Sequence, residues 1–219
     1  MEIRHLFLEA NGVVIPSVQL NCESRYLAIV IHGYGGNKEE MMGLSSHLLF
    51  RGYDSLTIDL RGHGESLDPY SIEVLNDVNY LIDQVRQRKT VIAIGHSVGG
   101  RLALLSNADV KVGISPALKG RYSEQTRKMI QSLRSYRVIE ESADTNFEIL
   151  EKLSSVYSGR KLVVYGSRDV PEIKQACKQL EGSDTEVQQI VGALHNDICV
   201  HSSTFQCIDQ FIESLPNGV

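Results

Sequence analysis

The chain contains no tryptophan and no apolar run long enough to cross a bilayer. Its longest apolar runs, residues 27–31 and 91–94, are strand-sized, whereas a spanning helix needs roughly 20 residues. No membrane span is expected. Lys/Arg-rich runs are also missing: 22 basic residues face 27 acidic ones, giving a formal net charge of −5. That balance argues against a nucleic-acid partner. The opening residues, MEIRHLFLEANGVVIPSV, lack a charged segment followed by a long apolar stretch and do not read as a secretory signal. The four cysteines (Cys22, Cys177, Cys199 and Cys207) show no CxxC spacing, which favours reduced thiols over a disulfide framework. Cytoplasmic residence is the resulting expectation. Cys199 and His201 with His195 form a loose cluster whose spacing matches no zinc template.

Repeats, low-complexity tracts and Pro/Ser-rich linkers are absent as well, so 219 residues are read as one domain, 1–219, with a sizeable core. Short β-branched runs alternate with stretches of helical period. Asn11-Gly12 marks a hairpin turn between two strand-like halves. Strands are expected at 26–31, 55–60, 91–95, 110–115, 161–166 and 187–191. Helices are expected at 39–50, 71–88, 98–106, 172–180 and 204–215, with two more at 124–135 and 145–157. This alternation implies a mainly parallel sheet with helices on both faces. In such sheets ligands bind beyond the carboxyl ends of the strands, so chemistry-bearing residues should follow strands directly.

Gly95-His96-Ser97-Val98-Gly99 fits G-x-S-x-G, a nucleophile elbow. The serine of such an elbow occupies a sharp strand-to-helix turn, and its neighbours must lack a Cβ to avoid collision. Here the motif directly follows one expected strand and precedes a helix. The lesser alternative is a Gly-Ser turn that merely closes a strand-helix unit.

On these residues the sequence resembles the α/β-hydrolase family over nearly its whole length. His32-Gly33-Tyr34-Gly35-Gly36, after the strand at 26–31, is similar to the family's HG-x oxyanion loop. The resemblance implies that the backbone N–H groups of Tyr34 and Val98 form an oxyanion hole. Tyr165-Gly166-Ser167-Arg168-Asp169 resembles the acid motif, and His195 stands where the family places its base. The implied triad is Ser97, Asp169 and His195, in the family order of serine, acid, histidine. Asp59-Leu60-Arg61-Gly62-His63-Gly64-Glu65-Ser66 is similar to a structural loop of the family. His63 precedes the serine in the chain and is read as structural, as are the other histidines that are not exposed. Asp197 competes with Asp169 for the acid position, but its place two residues after His195 favours capping the last helix.

The glycine loop at 32–36 lacks the Lys-Ser/Thr ending of a P-loop and the G-x-G-x-x-G of a dinucleotide fold. The resemblance implies an α/β-hydrolase fold with a short helical cap at about 117–157, and no cofactor or metal. It further implies a serine hydrolase that cleaves small-molecule carboxylic esters through an acyl-enzyme. A peptidase, a thioesterase or a non-catalytic hydrolase-fold binding protein are the alternatives. The short cap, which carries Arg121, Arg127, Lys128, Arg134 and Arg137, predicts a fairly open site. Acyl chain length and oligomeric state are not legible.

Overall fold

A computed structural model describes residues 2–87, 89–139, 142–180, 182 and 184–214. Asn11 and Gly12, both at positive φ, turn β1 (Glu2–Ala10) back onto β2 (Val13–Asn21). Six further strands follow: β3 (Tyr26–Ile31), β4 (Asp54–Ile58), β5 (Thr90–His96), β6 (Val110–Ile114), β7 (Lys161–Gly166) and β8 (Thr185–Ile190). They form one sheet in the order β1-β2-β4-β3-β5-β6-β7-β8. The pairs β1–β2 and β2–β4 are antiparallel and the other pairs are parallel. The expected mainly parallel sheet is thus present.

Helices α1 (Met42–Phe50), α2 (Val74–Arg86), α3 (Val98–Leu105), α4 (Glu124–Leu133), α5 (Ala143–Lys152), α6 (Pro171–Lys178) and α7 (Ser202–Glu213) complete the described fold. The period of two in the central strands distributes them over both faces. Ala28, Val30, Ile92 and Ile94 pack with Leu44 and Leu48 of α1 and with Ile208 and Phe211 of α7. Ile29, Ile31, Val91 and Ala93 point the other way, against Val78 and Ile82 of α2 and Leu102 of α3. Strands buried on both faces therefore read as continuous apolar runs, which is why 26–31 and 161–166 are placed to the residue by sequence. The expected ends of two helices, at 88 and 215, lie outside the described residues.

Element edges shift from expectation by one to five residues: β4 ends at Ile58 and α2 starts at Val74, and three further edges differ as follows. Residues 38–41 form a 3₁₀ turn ahead of α1 rather than its first turn, because Asn37 caps the N–H of Glu40 and Lys38 is drawn inward to Asp59. The helix expected at 145–157 is α5, which starts two residues earlier and stops at Lys152. Leu153 is extended, and the carbonyls of Leu153 and Ser154 turn toward Arg101. The last strand spans 185–190, and Val191 lies beyond it, 82% exposed.

Arg101 holds the chain between β6 and β7 in place. It is 1% exposed and donates to the carbonyls of Ala117 and Lys119, which precede α4, and of Leu153 and Ser154, which follow α5. Among the described residues no carboxylate pairs with it. The four carbonyls are its counter-charge, and both flanks of the α4–α5 segment are thereby tied to α3. Arg101→Leu strands these acceptors without donors, so urea unfolding should show a loss of about 3 kcal/mol or more. Arg121→Leu, which removes the ion pair of a well-exposed side chain with Glu151, should cost less than about 1 kcal/mol.

Candidate active site

The parallel register brings five strand ends to one edge. Ile31 pairs with Gly95, His96 with Ile114, Ile114 with Val164 and Gly166 with Ile190. The loops that follow β3, β5, β6, β7 and β8 therefore open side by side, and they carry Tyr34, Ser97, Ser115, Asp169 and His195.

Ser97 links β5 to α3 with φ 55° and ψ −114°. Such a backbone costs on the order of 1–3 kcal/mol and persists only where the surroundings fix it. Here the Ser97 N–H donates to Ile114 O, and its carbonyl accepts from Ala117 N and Arg101 N. The turn is so tight that a Cβ at Gly95 would collide with the Gly99 carbonyl, and one at Gly99 with the carbonyls of Ile31 and His32. This is the steric reason for glycine on both sides of the serine. Val98, the first residue of α3, has an N–H without an intrahelical acceptor. Gly33 brings the loop after β3 alongside: a Cβ there would lie 3.0 Å from Ser97 Cβ.

His195 Nε2 lies 3.2 Å from Ser97 Oγ, and its Nδ1 lies 2.8 Å from Asp169 Oδ1. With the carboxylate facing Nδ1, that nitrogen carries the proton and Nε2 is left to accept from the serine hydroxyl. The Asp169 side chain is fully buried. Burial alone would raise its pKa, but hydrogen bonds from His195, Ser115 Oγ and Val170 N outweigh this and hold the carboxyl below its ordinary value. Asp169 does not cap α6, whose N-cap is Val170. Asp197 is a correction: it does not cap the last helix. Its Oδ1 accepts from Leu194 N at 2.7 Å, while the His201 ring caps α7 through Ser203 N. The chain makes an extra 3₁₀ turn over Ile198–Val200 before α7 begins, so Asp197 is too far upstream.

Two residues beside the Asp169–His195–Ser97 line have contacts there that the sequence does not announce. Ser115, completely buried at φ 45°, sends its hydroxyl to Asp169 Oδ2. His96 places Nε2 at 2.8 Å from the His195 carbonyl. Desolvation and the neighbouring His195 push the pKa of His96 down to about 3, so the neutral ring donates to that carbonyl. Only a tertiary partner identifies either residue. His32 sits in the glycine loop read from the sequence. Its Nδ1 lies 2.7 Å from Gly33 O and its Nε2 accepts from Leu60 N, which joins the glycine loop to the end of β4. His63 is 1% exposed, ringed by His32, Tyr34 and Tyr70, and absent from the triad geometry.

A cavity of about 710 Å³ opens over Ser97. Its roof comes from α4 and α5 through Met129, Ile130, Leu133, Phe147 and Leu150, and its side wall includes Val170, Ile173 and Leu194. The polar groups at its margin include Glu40, Arg134, Arg168 and Asn196. The basic residues named in the 117–157 segment are paired: Arg121 with Glu151, Arg127 with Asp144, Lys128 with Glu124, and Arg134 and Arg137 with Glu40. Among the described residues, no three His, Cys, Asp or Glu side chains gather as a metal site, and no helix is long and apolar enough to cross a membrane.

The model of the alpha/beta hydrolase fold family matches residues 27–108, which contain the glycine loop and the serine elbow. Outside those residues the eight-stranded, mostly parallel sheet and its helices continue the same architecture. The chain has the α/β-hydrolase fold. Solved structures of that fold superpose along nearly its full length. An esterase of Pyrococcus furiosus is 18% identical with a TM-score of 0.75, covering 97% of this chain and 91% of its own. A soluble variant of the Saccharomyces cerevisiae monoglyceride lipase is 15% identical with a TM-score of 0.71, covering 96% and 94%. A thioesterase domain from the curacin biosynthetic pathway is 16% identical with a TM-score of 0.67, covering 98% and 100%. At these identities the likeness concerns the fold of the hydrolase-like chain and not its reaction. No curated protein matches the sequence.

The enclosed histidines make the stability of this α/β-hydrolase fold pH-dependent. Desolvation lowers His32 to about 4 and both His63 and His96 to about 3, from an ordinary 6.5. Below pH 6.5 the unfolded chain takes up protons that the folded chain refuses, so stability falls with falling pH. Between about pH 6 and 4 the three rings together should remove up to about 4 kcal/mol per pH unit, at most about 1.4 each. Urea titrations across this range check the slope. His63→Phe should reduce it by about a third, and an unchanged slope would contradict the assignment to these rings.

Proposed function

We propose that this protein is a serine hydrolase that cleaves carboxylic esters through an acyl-enzyme, with Ser97 as nucleophile, His195 as general base and Asp169 as the orienting acid. The observation that carries this reading is the continuous line Asp169–His195–Ser97, at 2.8 and 3.2 Å, ending on a serine held in a strained turn beneath a cavity. His195 takes the Ser97 proton as Oγ attacks the acyl carbonyl. Asp169 keeps the imidazole in the required tautomer and stabilises the imidazolium. The developing oxyanion lies against the N–H groups of Tyr34 and Val98, each such donor being typically worth about 3–4 kcal/mol in the transition state. His195 then returns the proton to the departing alcohol, and water repeats the cycle to release the acid.

The whole chain acts as one domain, with the 117–157 segment as its cap. Its roof of Met129, Ile130, Leu133, Phe147 and Leu150 suits the apolar part of a small-molecule acyl ester, while Glu40, Arg134 and Asn196 suit its polar part. The esterase and lipase among the neighbours support ester cleavage, and the thioesterase domain supports a thioester as the second choice. A cytoplasmic location is part of this proposal and rests on reading the four cysteines as reduced thiols.

Turnover of p-nitrophenyl esters of graded chain length tests the reading. Ser97→Ala should abolish it while leaving the thermal midpoint nearly unchanged. Asp169→Asn should lower kcat by about 10³–10⁴-fold, whereas Asp197→Asn, which alters a loop contact to Leu194 N, should stay within about threefold. Undiminished turnover by Ser97→Ala would overturn the mechanism, and a reversal of the two aspartates would reassign the acid.

A further inference from the structure

We propose that the phenol of Tyr34 is a positioning group that couples the α4–α5 segment to the oxyanion loop, so that the seating of this cap sets the strength of the oxyanion hole. The inference rests on the serine-hydrolase reading above and adds a role for a side chain where that reading uses only a backbone N–H.

An oxyanion donor contributes only if it is already aimed when charge develops. The loop that presents the Tyr34 N–H is poor in constraints of its own, because Gly33, Gly35 and Gly36 surround the tyrosine. One side of it is fixed by His32, which contacts Gly33 O and accepts from Leu60 N. The other side is fixed by Tyr34 itself. Its ring is 7% exposed, edge-on to His63 and beside Tyr70. From this pocket the hydroxyl donates to Ser142 O at 2.7 Å and lies 3.1 Å from Ser135 Oγ. Ser135 follows α4 and Ser142 caps α5, so one phenol joins the exit of the first cap helix to the entry of the second.

The backbone makes the same connection. Gly35 adopts φ +68°, and a Cβ there would lie 2.8 Å from Arg134 O. The stretch at 134–135 therefore rests directly on residues 34–35. Glu40, at the end of the same loop, pairs with Arg134 and Arg137, and Arg134 also donates to Asn196, next to His195. A displacement of the α4–α5 junction cannot leave Tyr34 where it was. A ligand that packs under α4 and α5 thus reports its presence to the oxyanion donor through the tyrosine side chain.

A buried tyrosine hydroxyl needs a partner on stability grounds alone, so the test must separate stability from positioning. Tyr34→Phe keeps the ring and its packing and removes only the hydroxyl. It should lower kcat for p-nitrophenyl esters about tenfold with KM within about twofold. Affinity for a boronic acid, which forms a tetrahedral anion on Ser97, should fall by a similar factor, while affinity for the neutral alcohol product stays unchanged. Ser135→Ala should act in the same direction, less strongly, and add little in the Tyr34→Phe background. Should Tyr34→Phe fail to fold, Ser135→Ala with the boronic acid carries the test. Normal kcat and boronate affinity in a variant with a lowered thermal midpoint would overturn the proposal, leaving the hydroxyl a stability feature. Wild-type protein that neither turns over esters nor binds the boronic acid would overturn the hydrolase reading, and this proposal with it.

Discussion

The turn at Ser97 is the constraint from which the rest of the site follows. A non-glycine residue at φ 55° and ψ −114° needs support, and three backbone hydrogen bonds supply it from Ile114, Ala117 and Arg101. The same tightness demands Gly95 and Gly99, because carbonyls from α3 and from the end of β3 fill the space a Cβ would take. Placing Ser97 also places its surroundings. The loop after β3 runs beside it, α3 begins beneath it, and β6 ends where it can hold the serine N–H. The positions of the proposed nucleophile, of the proposed oxyanion donors and of the α4–α5 attachment are thus consequences of one strained residue on a parallel sheet.

Support for Asp169 and His195, the proposed acid and base, is arranged more loosely across the sheet. Asp169 follows β7 and receives the hydroxyl of Ser115 from the end of β6, so neighbouring strands share the task of orienting one carboxylate. His195 lies beyond an exposed edge strand, and its main chain is held from the inside by the neutral His96 ring. The cap is fastened twice: Arg101 gathers the carbonyls at its two flanks, and the Tyr34 phenol meets the junction between its helices. Between these fastenings α4 buries only Thr126 and offers its apolar residues to the cavity. The site therefore has a rigid floor and a roof whose position is set by a few polar contacts.

Much of this was legible in the sequence because it is local. Strands buried on both faces announce themselves as continuous apolar runs, and Asn11-Gly12 announces the hairpin. Ser97, Asp169 and His195 each follow a strand, in an order that matches the family resemblance, and the structure brings them within hydrogen-bonding reach of one another. What escaped depends on partners distant in the chain. Ser115 is an unremarkable serine until Asp169, 54 residues later, is beside it. Arg101 reads as an ordinary helix residue, yet the carbonyls it captures end α5 before residue 157. Asp197 looked like a helix cap because the extra 3₁₀ turn that separates it from α7 has no distinctive composition. The charges at 121–137 proved to be ion-paired, and the cavity, which only Arg134 among them lines, is visible only once α4 and α5 are folded over the strand ends.

The central claim is that Ser97 is an activated nucleophile, and covalent capture tests it most directly. The protein is treated with a fluorophosphonate, digested, and the modified peptide located by mass spectrometry. The account predicts a single stoichiometric adduct on Ser97, lost in Ser97→Ala and strongly slowed in His195→Ala. A folded protein that remains unmodified at Ser97, or that is modified at another serine at the same rate in both variants, would contradict it.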